Sequence, residues 1–149
     1  MPLGKLLLLT DGEPHTAHAE DYALTLAAAL SAELVALYVV DPFLQRFTHE
    51  IYAVNRDACR AHLNQALAAE GVAGLAQFAG KAASAGVAIQ TRIRYGPPEQ
   101  VVTDEVLTCG YDLVILGAKH LEGWRQRFES FNLPARIFRH VACSLLVVK

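Results

Sequence analysis

Apolar residues along the chain fall into two alternating kinds of pattern. Leu6-Leu7-Leu8-Leu9 is a short unbroken run, ended by the turn chemistry of Asp11-Gly12-Glu13-Pro14. A run of that length with a Gly/Pro stop predicts a buried strand. Ala19, Tyr22, Ala23, Leu26, Ala27 and Leu30 then recur at three- and four-residue steps, one face of an amphipathic helix. Leu34 to Val40 predicts a second strand, stopped by Asp41-Pro42. Residues 43–55 have mixed character and read as a loop entering a helix. Cys59, His62, Leu63, Ala66 and Leu67, and later Leu75, Phe78, Ala79, Ala82 and Ala83, keep helical spacing. Gly71 and Gly74 lie between the two sets, so this stretch is either one long helix with a weak centre or two helices in series. Gly86 is the expected stop.

Val87 to Tyr95 alternates, with Val87, Ile89, Thr91, Ile93 and Tyr95 on one face and Gln90, Arg92 and Arg94 on the other. This predicts a strand with one polar face near a sheet edge. Gly96-Pro97-Pro98-Glu99 opens a helix that turns Val101, Val102, Val106 and Cys109 inward and ends at Gly110. Leu113 to Leu116 is a fourth strand, Pro134 to His140 a short helix with Asn132 or Ser130 as its N-cap, and Ser144 to Val148 the last strand. Strands therefore alternate with helices throughout. That order predicts an α/β fold: a doubly wound, mostly parallel five-stranded sheet with helices on both faces. No internal boundary divides residues 1–149, which read as a single domain. In such sheets ligands bind at the carboxyl ends of the strands, where strand order reverses. Thr10-Asp11-Gly12, Val40-Asp41, Tyr95-Gly96-Pro97 and Gly117-Ala118 are the stretches that lie there.

Composition narrows the function classes. The 149 residues are 53% hydrophobic and 19% charged, with a net charge of −2 and no basic tract. This fits one compact domain and gives no nucleic-acid footprint. The apolar runs are too short to span a bilayer, and no leader pattern precedes the first strand, so the expected location is the cytoplasm. Cys59, Cys109 and Cys143 make neither a Cys-x-x-Cys pair nor a zinc pattern and are expected as buried, reduced thiols. His15 and His18 stand three apart without a third ligand, so no metal is expected.

The usual occupants of a doubly wound sheet are missing from the motifs. The turn after the first strand is not Gly-x-Gly-x-x-Gly, no P-loop occurs, and no Gly-x-Ser-x-Gly elbow marks a hydrolase. The Ser-Gly-Gly-x-Asp-Ser turn of pyrophosphatases fails at the same place. Tyr95-Gly96 stands at the third strand's end, where a receiver domain would need its Asp. No nucleophile or general base emerges, so catalysis is not expected.

Three stretches carry a resemblance. Asp11-Gly12 after the first strand, "YGPPEQVVTDEVLTCGYDLVILG" and "PARIFRHVACSLLVVK" together resemble the universal stress protein family over nearly the whole chain. The resemblance implies an adenine nucleotide alpha hydrolase-like fold and a homodimer paired through the C-terminal strand, 144–148. Nucleotide-binding members carry Gly-x2-Gly-x9-Gly-Ser/Thr after the fourth strand, where glycines admit the ribose and phosphates and the hydroxyl donates to a phosphate. Here Gly117 holds the first position, but His120 stands at the second, Ser130 at the third and Phe131 at the hydroxyl. The resemblance also puts Asp11 against an adenine and Val40 beside it; capping of the first helix is the alternative for Asp11. Lys119, His120, Arg125 and Arg127 could offset phosphate charge, with Ser130 supplying the hydroxyl and Gly123 the turn. Trp124, Phe128 and Phe131 would plug the cleft or meet a partner. The expectation is a dimeric stress-response or regulatory module with a degraded ATP loop. The alternative is an adenine-nucleotide (ATP or AMP) binder with at most weak hydrolysis, its site formed by Asp11, Val40, Gly117, Lys119, His120, Arg127 and Ser130.

Overall fold

The computed structural model describes residues 3–10, 16–40, 56–118 and 132–149, and of residues 56–64 and 132 the backbone only. Elements follow in the predicted order: β1 (Lys5–Leu9), α1 (Ala17–Leu30), β2 (Glu33–Val40), α2 (Arg56–Ser84), β3 (Ile89–Tyr95), α3 (Pro98–Cys109), β4 (Leu113–Gly117), α4 (Asn132–His140) and β5 (Ser144–Val148). The five strands form one sheet in the order β3-β2-β1-β4-β5. Every pairing is parallel, so the sheet is wholly rather than mostly parallel.

The period-two alternation of strand side chains sorts the core into two layers. Leu6 and Leu8 of β1 join Leu34, Ala36, Tyr38 and Val40 of β2, covered by Ala19, Ala23, Leu24 and Ala27 of α1 and Leu75, Phe78 and Ala82 of α2. Leu7, Val35, Leu37, Val114 and Leu116 face the other way, covered by Val101, Val102 and Val106 of α3 and Ile137 of α4. Helices thus lie on both faces of the sheet, as the element order requires.

Several local readings are sharpened. The buried face of α1 is rotated from the expected one: Leu24 is inside, while Tyr22 and Leu30 are 54% and 43% exposed. The long stretch before β3 is one helix, Arg56–Ser84, not two. Gly71, in its middle, is not a weak point but a notch. A Cβ built there would stand 2.5–2.9 Å from three ring atoms of Tyr38, so only glycine lets α2 cross β2 this closely. β3 starts at Ile89, and α4 starts at Asn132 rather than being capped there. Cys109 and Cys143 are free thiols but half-buried rather than buried, and burial pushes the Cys143 thiol up. The Cys59 side chain lies outside the described residues.

Charge is placed unevenly on the two outer strands. On β3, Arg92 Nη1 and Arg94 Nε turn inward and donate to Glu105 of α3 at 3.1 and 2.6 Å. Glu105 is only 4% exposed, and Arg92 Nη1 also donates to Cys109 Sγ at 2.9 Å. β5, Ser-Leu-Leu-Val-Val, carries no charge, and its Val147 is 39% exposed. At the start of β1, Asp112 Oδ2 accepts from the Gly4 and Lys5 amides at 2.8 and 2.9 Å, which pins that strand to the entry of β4.

Tyr111, which donates to Glu105 at 3.4 Å, has a displaced titration. Burial, reinforced by the Glu105 charge and opposed by Arg92, pushes it from 10.0 to about 12. The folded value lies above the unfolded one, so this phenol's contribution is complete below about pH 10 and is lost as pH rises towards 12. Unfolding free energy should therefore fall by roughly 1 kcal/mol per pH unit across that window. Urea melts between pH 9 and pH 11.5 test this: Tyr111→Phe should flatten the decline, and an unchanged slope would sink the assignment.

Candidate functional site

Strand order reverses between β1 and β4, since the chain leaves β1 towards β2 and later returns on the other side. The crevice at their carboxyl ends is the binding position such a sheet offers. The exits of β1, β3 and β4 are held one residue beyond their ladders. The Thr10 amide donates to Leu37 O at 3.0 Å, Gly96 N–H to Val40 O at 3.1 Å and Ala118 N–H to Val148 O at 2.7 Å. Gly96 takes φ 142°, a backbone that side chains resist, and so turns the chain sharply into Pro97 and α3.

Two of the sequence-predicted site residues stand at this end. Val40 ends β2 at 2% exposure, its side chain in the core, its carbonyl already accepting from Gly96. Gly117 ends β4, half-buried. With β1 between β2 and β4, they face one crevice across two strand spacings, roughly 9–10 Å. Asp11, Lys119, His120, Arg127 and Ser130 lie outside the described residues, as do Gly123, Trp124, Arg125, Phe128 and Phe131. His18 is exposed, and among the described residues no group of three or more His, Cys, Asp or Glu side chains could hold a metal.

A polar knot beside the crevice went unread in the sequence. Thr10, 3% exposed, donates its hydroxyl to Glu20 Oε1 at 3.0 Å. Thr16, 4% exposed, stands 3.4 Å from it, hydroxyl to hydroxyl. Thr10's single proton goes to Glu20, so Thr16 is the donor of that pair. Thr16 occupies the N-cap of α1 without a side-chain cap bond. Glu20 sits in the first turn of α1, where the helix dipole favours a carboxylate. Its Oε2 lies 3.7 Å from Lys81 Nζ, which is 2.6 Å from Asp21 Oδ1. The Asp21 bond holds the Lys81 ammonium above its ordinary pKa against a burial effect of opposite sign. The signal available was the i, i+4 step from Thr16 to Glu20, with Thr10 ending an apolar run.

A concavity of about 640 Å³ lies at the opposite end of the sheet, among Ala27, Ser31, Glu33, Gly86, Val87 and Gln90. It is open to solvent and lies at the C-terminal end of α1 and the amino ends of β2 and β3, away from the strand exits. The crevice, not this hollow, is the candidate site.

Comparison with known proteins agrees with the topology. A model of the universal stress protein family matches residues 2–149. The chain belongs to that family. A universal stress protein of Methanocaldococcus jannaschii is 26% identical over 147 residues, spanning 97% of this chain and 81% of the relative. Among solved structures, the universal stress protein UspA of Lactobacillus plantarum superposes with a TM-score of 0.79 at 23% identity, over 100% of this chain and 99% of that one. A universal stress protein in complex with cAMP gives 0.69 at 22% identity, over 100% and 98% of the two chains. A family member from Arabidopsis thaliana with AMP bound gives 0.61 at 16%, over 98% and 91%. These likenesses establish the fold. Among the described residues no helix is long and apolar enough to cross a membrane.

Proposed function

We propose that this universal stress protein is a cytoplasmic, homodimeric regulatory module for the stress response. Its crevice takes an adenine nucleoside monophosphate in preference to ATP. The observation that carries this reading is a split between the two halves of the site. The adenine side keeps Asp11 and Val40, and the phosphate loop keeps its first glycine, Gly117; Val40 and Gly117 stand at one end of the sheet. The phosphate side replaces the family's small residues by His120, Ser130 and Phe131. A side chain at a glycine position limits how closely backbone amides approach a phosphate chain, and Phe131 offers no donor. One phosphate demands fewer such contacts than three. Lys119, His120, Arg127 and Ser130 are the residues proposed to meet it. Relatives of this fold solved with cAMP and with AMP support a monophosphate as the ligand class.

Calorimetric titration of nucleotide-stripped protein tests the reading. AMP should bind at least about tenfold more tightly than ATP with Mg²⁺, a difference of about 1.4 kcal/mol. ATP binding as tight as AMP would overturn the preference; silence from both would overturn the nucleotide reading.

The dimer is proposed through β5. An uncharged, apolar outer strand needs cover, whereas inward-turned charges such as Arg92 and Arg94 blunt the other edge. Sedimentation at micromolar concentration should show a dimer, and a β5 carrying Val147→Lys should shift it to monomer. A wild-type monomer would remove this part of the proposal.

A further inference from the structure

We propose that Glu20 is a positioning residue for the nucleotide crevice, acting through Thr10 and Thr16. This rests on the adenine-nucleotide reading above. Thr10 and Thr16 are the residues immediately before and after 11–15, the connection that carries Asp11. Both are buried and form a chain that ends on the Glu20 carboxylate: Thr10 donates to it at 3.0 Å, and Thr16 stands 3.4 Å from Thr10, hydroxyl to hydroxyl. Thr10 is also tied through its amide to Leu37 O at 3.0 Å. The residue preceding Asp11 is therefore fixed by its backbone to β2 and by its side chain to α1. Fixing both ends of a connection removes most of the ways its backbone can drift, and a binding group misplaced by about an ångström loses much of its interaction.

Glu20 has a second neighbour that separates its two roles. Lys81 of α2 lies 3.7 Å from Oε2 but only 2.6 Å from Asp21. The shorter of the two Lys81 pairings can thus be removed at Asp21 while Thr10 keeps its acceptor on Glu20. Glu20→Gln keeps an acceptor for Thr10 and loses the charge. Glu20→Met keeps the length and loses the acceptor. Thr10→Val keeps the shape and loses the hydroxyl, and Thr10→Ser restores it.

The test is titration of these variants with adenosine and with AMP. Thr10→Val and Glu20→Met should weaken both ligands alike by about tenfold, because the loss lies on the adenine side. Thr10→Ser, Glu20→Gln and Asp21→Asn should stay within about threefold of wild type. Wild-type affinity in Thr10→Val, or a loss confined to AMP, would overturn the proposal. Should the wild type bind neither ligand, the nucleotide reading fails, and the knot is judged separately by amide exchange of the free protein. There, Thr10→Val and Glu20→Met should speed exchange in the peptide spanning residues 9–17 about tenfold and leave residues 113–117 unchanged. Unchanged exchange at 9–17, or equal acceleration at both, would overturn the knot as a positioning device.

Discussion

Glu105→Ala should lower the unfolding free energy by about 3 kcal/mol, the largest loss expected from any single polar side chain in the described layers. The carboxylate is 3% exposed as a side chain and accepts charge-assisted bonds from Arg94 at 2.6 Å and Arg92 at 3.1 Å. Tyr111 adds a weaker bond at 3.4 Å. Removing it takes three acceptor contacts from one buried point and leaves a void under α3. The two guanidiniums, 46% and 33% exposed, can turn partly to water, which keeps the loss below that of a fully buried pair. Glu105→Gln keeps the volume and one acceptor oxygen and should lose about half as much. Urea unfolding followed by circular dichroism measures both; a loss under about 0.5 kcal/mol for Glu105→Ala would show that the cluster contributes nothing to stability.

Gly71→Val should cost roughly 3 kcal/mol and disturb the near-ultraviolet signal of Tyr38. The Tyr38 ring is 6% exposed and packed in the core, so it cannot yield to a side chain built within 3 Å of it. Gly71→Ala sets two effects against each other. The added methyl meets the same ring, while alanine raises helix propensity by about 1 kcal/mol, so a smaller net loss is expected. If Gly71→Val melts with the wild type, α2 can shift away from β2 and the notch is not needed.

Both sites show where sequence reading succeeds and where it stops. The element order, the parallel sheet and the outer position of β3 were legible because runs such as Leu6–Leu9 and the alternation of Val87–Tyr95 report burial directly. The pairing of Arg92 and Arg94 with Glu105 was not, because a polar face on an edge strand looks the same whether it meets water or a carboxylate on a helix. Gly71 was read as a candidate break, since a glycine's local cost is visible in sequence and its partner across the fold is not. Tyr22 was placed inside α1's face because apolar periodicity cannot distinguish a core tyrosine from one at the rim. For the site, Val40 and Gly117 were legible as strand ends, whereas the Thr10–Glu20 knot required knowing how α1 leans on β1.

The unequal treatment of the two outer strands also limits how far this sheet can grow. A sheet with two bare edges can recruit another copy on each side and propagate without end. Here β3 is armoured by its inward arginines, and β5 alone presents an uncharged edge. In the proposed dimer, two copies would join β5 to β5 about a twofold axis, and each would use up its uncharged edge. The joined sheet would then end in arginine-bearing strands at both extremities, so association by this route would stop at two. Neutralising Arg92 and Arg94 would remove the stop along with the support they give Glu105, linking solubility at high concentration to the same buried carboxylate that holds the fold.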